Sequence, residues 1–281
     1  MKNIILMLVL ASSTVLAEPL HLDTYNPQEN GIFPVSSTLV SGPKEAILFD
    51  AQFSVKDGEK LVDMIKASKK KLKEIVITSG DPDFYFGLEP IVKAFPDVSV
   101  VATPKVVEHI RTTKDAKLKY WAPQMKDGAP KELIVPQITT KTRFIIDGET
   151  LELHHPEHYA AYVWLPTNKA IIGGTGIASG IHVWTADTQT PENRESWRHI
   201  LHEMQNLKPK LVIPGHYLGE QPAGDQAIVF TSDYLKKFEK VLKDNHHSTG
   251  VIKAMKSLYP QLAEESSLEL GAKVNTGELK W

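Results

Sequence analysis

The chain has 281 residues, 42% hydrophobic and 23% charged, which is apolar material enough for an ordinary globular core. Its 32 basic and 34 acidic residues leave a formal charge of −2, with no basic excess to suggest a nucleic acid partner. It has no cysteine, which excludes disulfides, a thiol nucleophile and lipid attachment through cysteine.

Residues 1–17, "MKNIILMLVLASSTVLA", carry a lysine, a short apolar run and small residues ending at Ala17. This pattern reads as a secretory signal peptide. The run is too short to span a bilayer, so no stable membrane anchor is expected. The mature chain, 18–281, is then expected in a periplasm or outside the cell as a single domain.

"SSTLV" and "EAILFDA" are short apolar strands joined by a turn at Ser41-Gly42-Pro43. A helix is predicted over 56–68, with Leu61, Met64 and Ile65 on one face. The lysine run 69–73 is placed at its C-terminal end, where cations suit the helix dipole. "EIVITS" reads as a buried strand, "FGLEPIVKAF" as a helix and "VSVVAT" as a strand. "TPKVVEHIRTT" opens a helix with Thr103 as N-cap and Pro104 at its first position.

The second half supplies two hairpins. "RFIIDGETLELHH" turns at Asp147-Gly148, and "AAYVWLPTNKAIIGG" turns at Pro166-Thr167-Asn168. In the first of these, Leu151 and Leu153 point one way, so the strand period puts His155 on their buried side. A helix follows from Thr190, with Trp197, Leu201 and Met204 as its apolar stripe. "PKLVIPGH" is a last buried strand, and from about 226 the chain reads as a helical extension of the same domain. Each half gives strands and then helices, which favours two sheets with helices outside over a single parallel sheet.

Chemistry is expected on the loops at strand ends, residues 79–87, 154–159, 174–187 and 214–219. "GGTGIASG" has neither the G-x-S-x-G spacing of a nucleophile elbow nor the lysine of a phosphate-binding loop. Left on the four loops are Asp81, Asp83, His154, His155, His158, His182, Asp187 and His216. Aspartate and neutral histidine are standard ligands for zinc, iron or manganese.

The order of "STLVSGPKEAILFDAQ", "TSGDPDFYFGLEP", "AAYVWLPTNKAIIGG" and "KLVIPGHYLG" resembles the metallo-β-lactamase superfamily over roughly residues 30–220. The resemblance implies an α+β fold, a four-layer αββα sandwich with a metal site along one edge. It also implies that Asp50 orders neighbouring loops. The superfamily's H-x-H-x-D-H motif falls on Ser79, Asp81, Asp83 and Phe84. Its next histidine falls near 154–158, with His158 preferred. Its bridging aspartate is Thr175, and its final histidine is kept as His216.

Phenylalanine cannot bind a metal and an un-ionised serine is a poor ligand, so a conventional dinuclear zinc centre is not expected. A single divalent ion, zinc, iron or manganese, would draw on Asp81, His158 and His216, with Asp83 or His182 completing the set. Asp83 could orient a metal-bound water or take its proton. Three readings follow: a secreted hydrolase of an ester, lactone or amide with a rebuilt mononuclear site; a non-catalytic binding protein that has lost the metal; or metal-free acid–base work by Asp81 and Asp83. Against the third stands simple N-capping of the helix near 84. The expected partner is a small molecule.

Overall fold

The computed structural model describes residues 19–281; the signal peptide reading of residues 1–17 lies outside the described residues. The first half builds β1 (His21–Tyr25), β2 (Ser37–Ser41), β3 (Glu45–Phe49), α1 (Val55–Ser68), β4 (Lys71–Ile77), α2 (Pro82–Tyr85), α3 (Leu88–Ala94), β5 (Ser99–Ala102), α4 (Pro104–Met125) and β6 (Gln137–Ile138). The second half builds β7 (Arg143–Ile146), β8 (Glu149–His154), β9 (Tyr162–Leu165), β10 (Ala170–Gly173), β11 (Ala178–Ser179), α5 (Pro191–Asn206), β12 (Leu211–Ile213) and β13 (His216–Tyr217). Three helices close the chain: α6 (Gln226–Asp244), α7 (Ser248–Leu258) and α8 (Glu265–Asn275).

Local chemistry sets many of these boundaries. Ser54, Thr103 and Thr190 each accept the backbone N–H three residues on, which caps α1, α4 and α5. Pro104 and Pro191 follow two of those caps at the first helical position, where a missing N–H costs nothing. Asp147 and Gly148, at φ 49° and 92°, make the tight left-handed turn that joins β7 to β8.

A six-stranded sheet runs in the order β1-β2-β3-β4-β5-β6, and a five-stranded sheet in the order β12-β10-β9-β8-β7. Val40, Phe49 and Val76 of the first sheet meet Phe144, Leu153, Val163 and Ile172 of the second in one apolar layer. The other face of the first sheet packs against α1, α3 and α4 through Leu61, Ile65, Ile91, Val107 and Ile110. The other face of the second packs against α5 and the C-terminal helices through Trp197, Leu201, Tyr234, Phe238 and Met255. Helix, sheet, sheet and helix are thus stacked in four layers, the expected α+β sandwich, and α6–α8 share the core of the second half.

Strand direction gathers the loops that matter. β3, β4 and β5 are mutually parallel, and β8, β10 and β12 share one direction because β9 runs against both β8 and β10. At the C-terminal ends of these strands the two sheets touch: a Cβ on Gly174, just past β10, would lie 3.1 Å from Thr78 Oγ1, just past β4.

Two readings are corrected. The lysine run is not all helix end: Lys69 caps α1, whereas Lys71 and Lys73 already belong to β4, where Lys73 pairs with Glu45 at 3.1 Å. His155 is not a core residue. It takes φ 49°, which ends the strand alternation, and its half-buried ring binds Glu203 at 2.6 Å.

Candidate active site

Asp50 leaves β3 in the left-handed region at φ 62° and is fully buried. Its two carboxylate oxygens accept from the Thr78 N–H and the Thr78 hydroxyl, each at 2.7 Å. The pair ties the loop after β3 to the loop after β4. Burial pushes the Asp50 carboxyl up to about 7, against the pull of the Thr78 bonds; nearby Asp83 raises it and His216 lowers it.

Asp83 and His216 lie above this floor. His216 Nε2–H donates to Asp83 Oδ2 at 2.6 Å, with 17% of the histidine and 11% of the aspartate side chain exposed. Asp83 comes from the short α2, and His216 follows the Pro214-Gly215 turn after β12. Gly215 is needed there, because a Cβ would sit 2.2 Å from the Gly174 carbonyl oxygen. Among the described residues no protein group bonds His216 Nδ1. Phe84, in the place of the superfamily's last motif histidine, is fully buried and turns its ring edge-on to His216 at 5.3 Å.

Asp81 belongs to a second cluster. The structure does not use its side chain to cap α2. Instead Asp81 Oδ1 accepts from the Lys117 ammonium at 3.1 Å and Oδ2 accepts from the Ser79 hydroxyl at 3.1 Å. Lys117 Nζ also contacts His109 Nε2 at 2.9 Å. The His109 ring lies against Gly80, where any Cβ would come within 2.6 Å of it. Burial lowers the His109 pKa, and the Lys117 charge beside it adds to the effect. Asp187 completes the edge: the indoles of Trp184 and Trp281 donate to its two oxygens at 2.6 and 2.8 Å. Burial raises its carboxyl, as does the charge on Asp81.

The five predicted metal ligands are not brought together. Asp83 and His216 touch, and Asp81 is two residues from Asp83 but bound to Lys117. His158 Nε2 contacts Ser196 of α5 at 3.1 Å, and its Nδ1 accepts the Ala160 N–H at 3.0 Å. His182 is buried with Nδ1 3.0 Å from the Tyr234 hydroxyl of α6, because the C-terminal helices cover its loop. Thr175 donates to the Tyr159 carbonyl at 3.4 Å. His154, outside the preferred set, stacks on Tyr162 at 4.9 Å. Among the described residues no three of His, Asp or Glu converge as a metal site. A stable zinc site draws on three or four convergent donors, so the donors present do not fit the ion the superfamily commonly binds.

His109 and Lys117 carry almost no signal in the sequence. What there is lies in their spacing of about two helical turns on α4.

The family model of the metallo-β-lactamase superfamily matches residues 30–216. Among solved structures, the chain is similar to a metallo-β-lactamase from Pontibacter korlensis, with 22% identity and a TM-score of 0.51, over 77% of this chain and 94% of that one. It is also similar to the DIM-1 metallo-β-lactamase, with 16% identity and a TM-score of 0.52, over 79% of this chain and 99% of that one. At such identities these likenesses bear on the fold alone. No curated protein sequence matches the chain.

Proposed function

The chain belongs to the metallo-β-lactamase superfamily, and from that premise we propose that it is a hydrolase of a small ester, lactone or amide whose water is activated by the Asp83–His216 pair and not by a metal centre. The observation that carries this reading is the 2.6 Å contact between the two side chains at the meeting of the sheets.

Asp83 accepts the Nε2 proton and so fixes the imidazole with Nδ1 as its free acceptor. Nδ1 takes a proton from water as the water attacks the substrate carbonyl. Asp83 then stabilises the imidazolium, which returns the proton to the leaving oxygen or nitrogen. No step runs through a metal, because the donors present do not fit one. The signal peptide reading, and with it a periplasmic or secreted protein, belongs to this proposal and rests on the sequence.

The test is turnover of a panel of chromogenic esters, lactones and amides in excess chelator. Turnover is expected to be indifferent to chelator, and to fall ~100-fold or more in His216→Ala and Asp83→Asn, the usual scale for acid–base catalysis. Turnover that chelator abolishes and zinc restores would contradict the proposal. A second reading, a non-catalytic binding protein on the same fold, draws support from the way Lys117 and the two indoles already occupy the other carboxylates. Absence of turnover across the panel would favour it.

A further inference from the structure

The five tryptophans of the chain are not used alike. Trp164 and Trp197 are buried, and Trp121 packs edge-on against Phe33 and Phe53. Trp184 and Trp281 instead meet each other, ring centres 5.7 Å apart and planes at 69°. Trp281 is 58% exposed and Trp184 half-buried. Leaving this much indole in water is a cost that a bound partner relieves. The pair lies at the edge that carries the Asp83–His216 contact. The charges of Asp187, Asp81 and Asp83 all bear on the Tyr159 hydroxyl, and that hydroxyl donates to the Trp184 carbonyl at 3.3 Å.

We propose that Trp184 and Trp281, held by Asp187, form the subsite that takes a flat aromatic group of the substrate. The inference rests on the hydrolase reading for the reacting bond, and it names the class of molecule that carries that bond: an aryl or arylalkyl ester, lactone or amide.

The arrangement is built. Each indole N–H donates to a different oxygen of one carboxylate, at 2.6 and 2.8 Å, so Asp187 fixes both rings at once. An indole N–H points in the plane of its ring, so these bonds spend none of the apolar faces. The loop beneath is pinned on both sides of Asp187. Asn275 of α8 donates to the Thr185 carbonyl at 3.0 Å, and the buried Arg194 of α5 donates to the Thr188 carbonyl at 2.6 Å. Gln189 donates to the Trp281 carbonyl at 3.4 Å. Rings fixed before binding lose little entropy when a ligand stacks on them. Two steeply inclined rings also make a corner. A flat aromatic group entering it meets one ring offset-stacked and the other edge-on, the two contacts aromatic pairs prefer, whereas an aliphatic group of the same size gains only buried area. Simple docking of the segment around Trp281 onto the 184–189 loop would make the same hydrogen bonds and give no preference among ligands.

The experiment follows the indole N–H signals of the nitrogen-labelled chain by NMR during titration with benzyl alcohol and with cyclohexylmethanol, neither of which can be hydrolysed. The Trp184 and Trp281 signals, assigned by single replacement, are expected to shift saturably with benzyl alcohol, while those of Trp164 and Trp197 stay in place. Affinity for the aromatic alcohol is expected to exceed that for the aliphatic one about threefold or more, the scale of an aromatic pair. The preference should disappear in Trp184→Leu and in Trp281→Leu, and shrink in Asp187→Ala, where both rings lose their common anchor. Two independent leucine replacements keep the test alive if one of them folds poorly. No saturable shift at either indole in wild type would overturn the proposal. So would equal affinity for the two alcohols, or a preference that survives both leucine replacements. Binding of benzyl alcohol as described, with no turnover across the ester, lactone and amide panel, would sink the hydrolase reading alone. Turnover with no preference for the aromatic ring would sink this inference alone.

Discussion

Asp50 is the carboxylate whose ionisation the fold most opposes. Its ordinary value of 3.8 is pushed up to about 7 by burial. The folded chain therefore holds this proton through a range where the unfolded chain has lost it. The stability Asp50 contributes is full below pH ~4 and is lost as pH rises to about 7. His109 works in the opposite sense, since its lowered pKa makes the fold lose stability as pH falls below 6.5. Asp50→Asn isolates the first effect. Its Tm relative to wild type is expected to climb between pH 4 and 8, as measured by scanning calorimetry; a difference independent of pH would refute the assignment. At this scale the sequence is half legible. Asp83 and His216 stand out because each keeps a motif position on a strand-end loop. His158 and His182 have the right residue type on the right loops, but α5 and α6 claim their rings, and those are tertiary contacts that no local pattern records. Lys117 is invisible for the complementary reason: a lysine on a helix reads as solvated surface until its neighbours are known.

Among the elements, the hairpins and capped helices are legible because their signals are local. Asp147-Gly148 can hardly be anything but a tight turn, and Thr190-Pro191 opens α5 as its chemistry requires. The short edge strands β1 and β6 carry no comparable alternation and leave no such signal. Gly215 is where element geometry meets the site. It lets the end of β12 cross the Gly174 carbonyl and deliver His216 to Asp83. Gly215→Ala is expected to destabilise the chain by ~1–3 kcal/mol, the usual scale of overpacking. Because it displaces His216, it should also cut turnover more than the distant Gly148→Ala does. Paired denaturation and kinetics check this, and wild-type stability in the Gly215→Ala variant would show that the crossing is loose.

For the whole molecule, the order of strands and helices is enough to read two sheets with helices outside, and the resemblance to the superfamily implies the four-layer stack. The fate of the metal centre is not readable that way. Superfamily membership carries an expectation of metal, and the sequence keeps enough Asp and His to suggest one ion. The folded chain commits those residues elsewhere: His158 to α5, His182 to α6, Asp81 to Lys117, and Asp83 and His216 to each other. The central claim is that the edge is neutralised from within. Its most direct test is the metal content of the chain, purified without chelator or an affinity-tag metal, by plasma mass spectrometry, with His216→Ala beside it. Far less than one zinc, iron or manganese per chain is expected in both proteins. About one ion per wild-type chain, lost in His216→Ala, would contradict it.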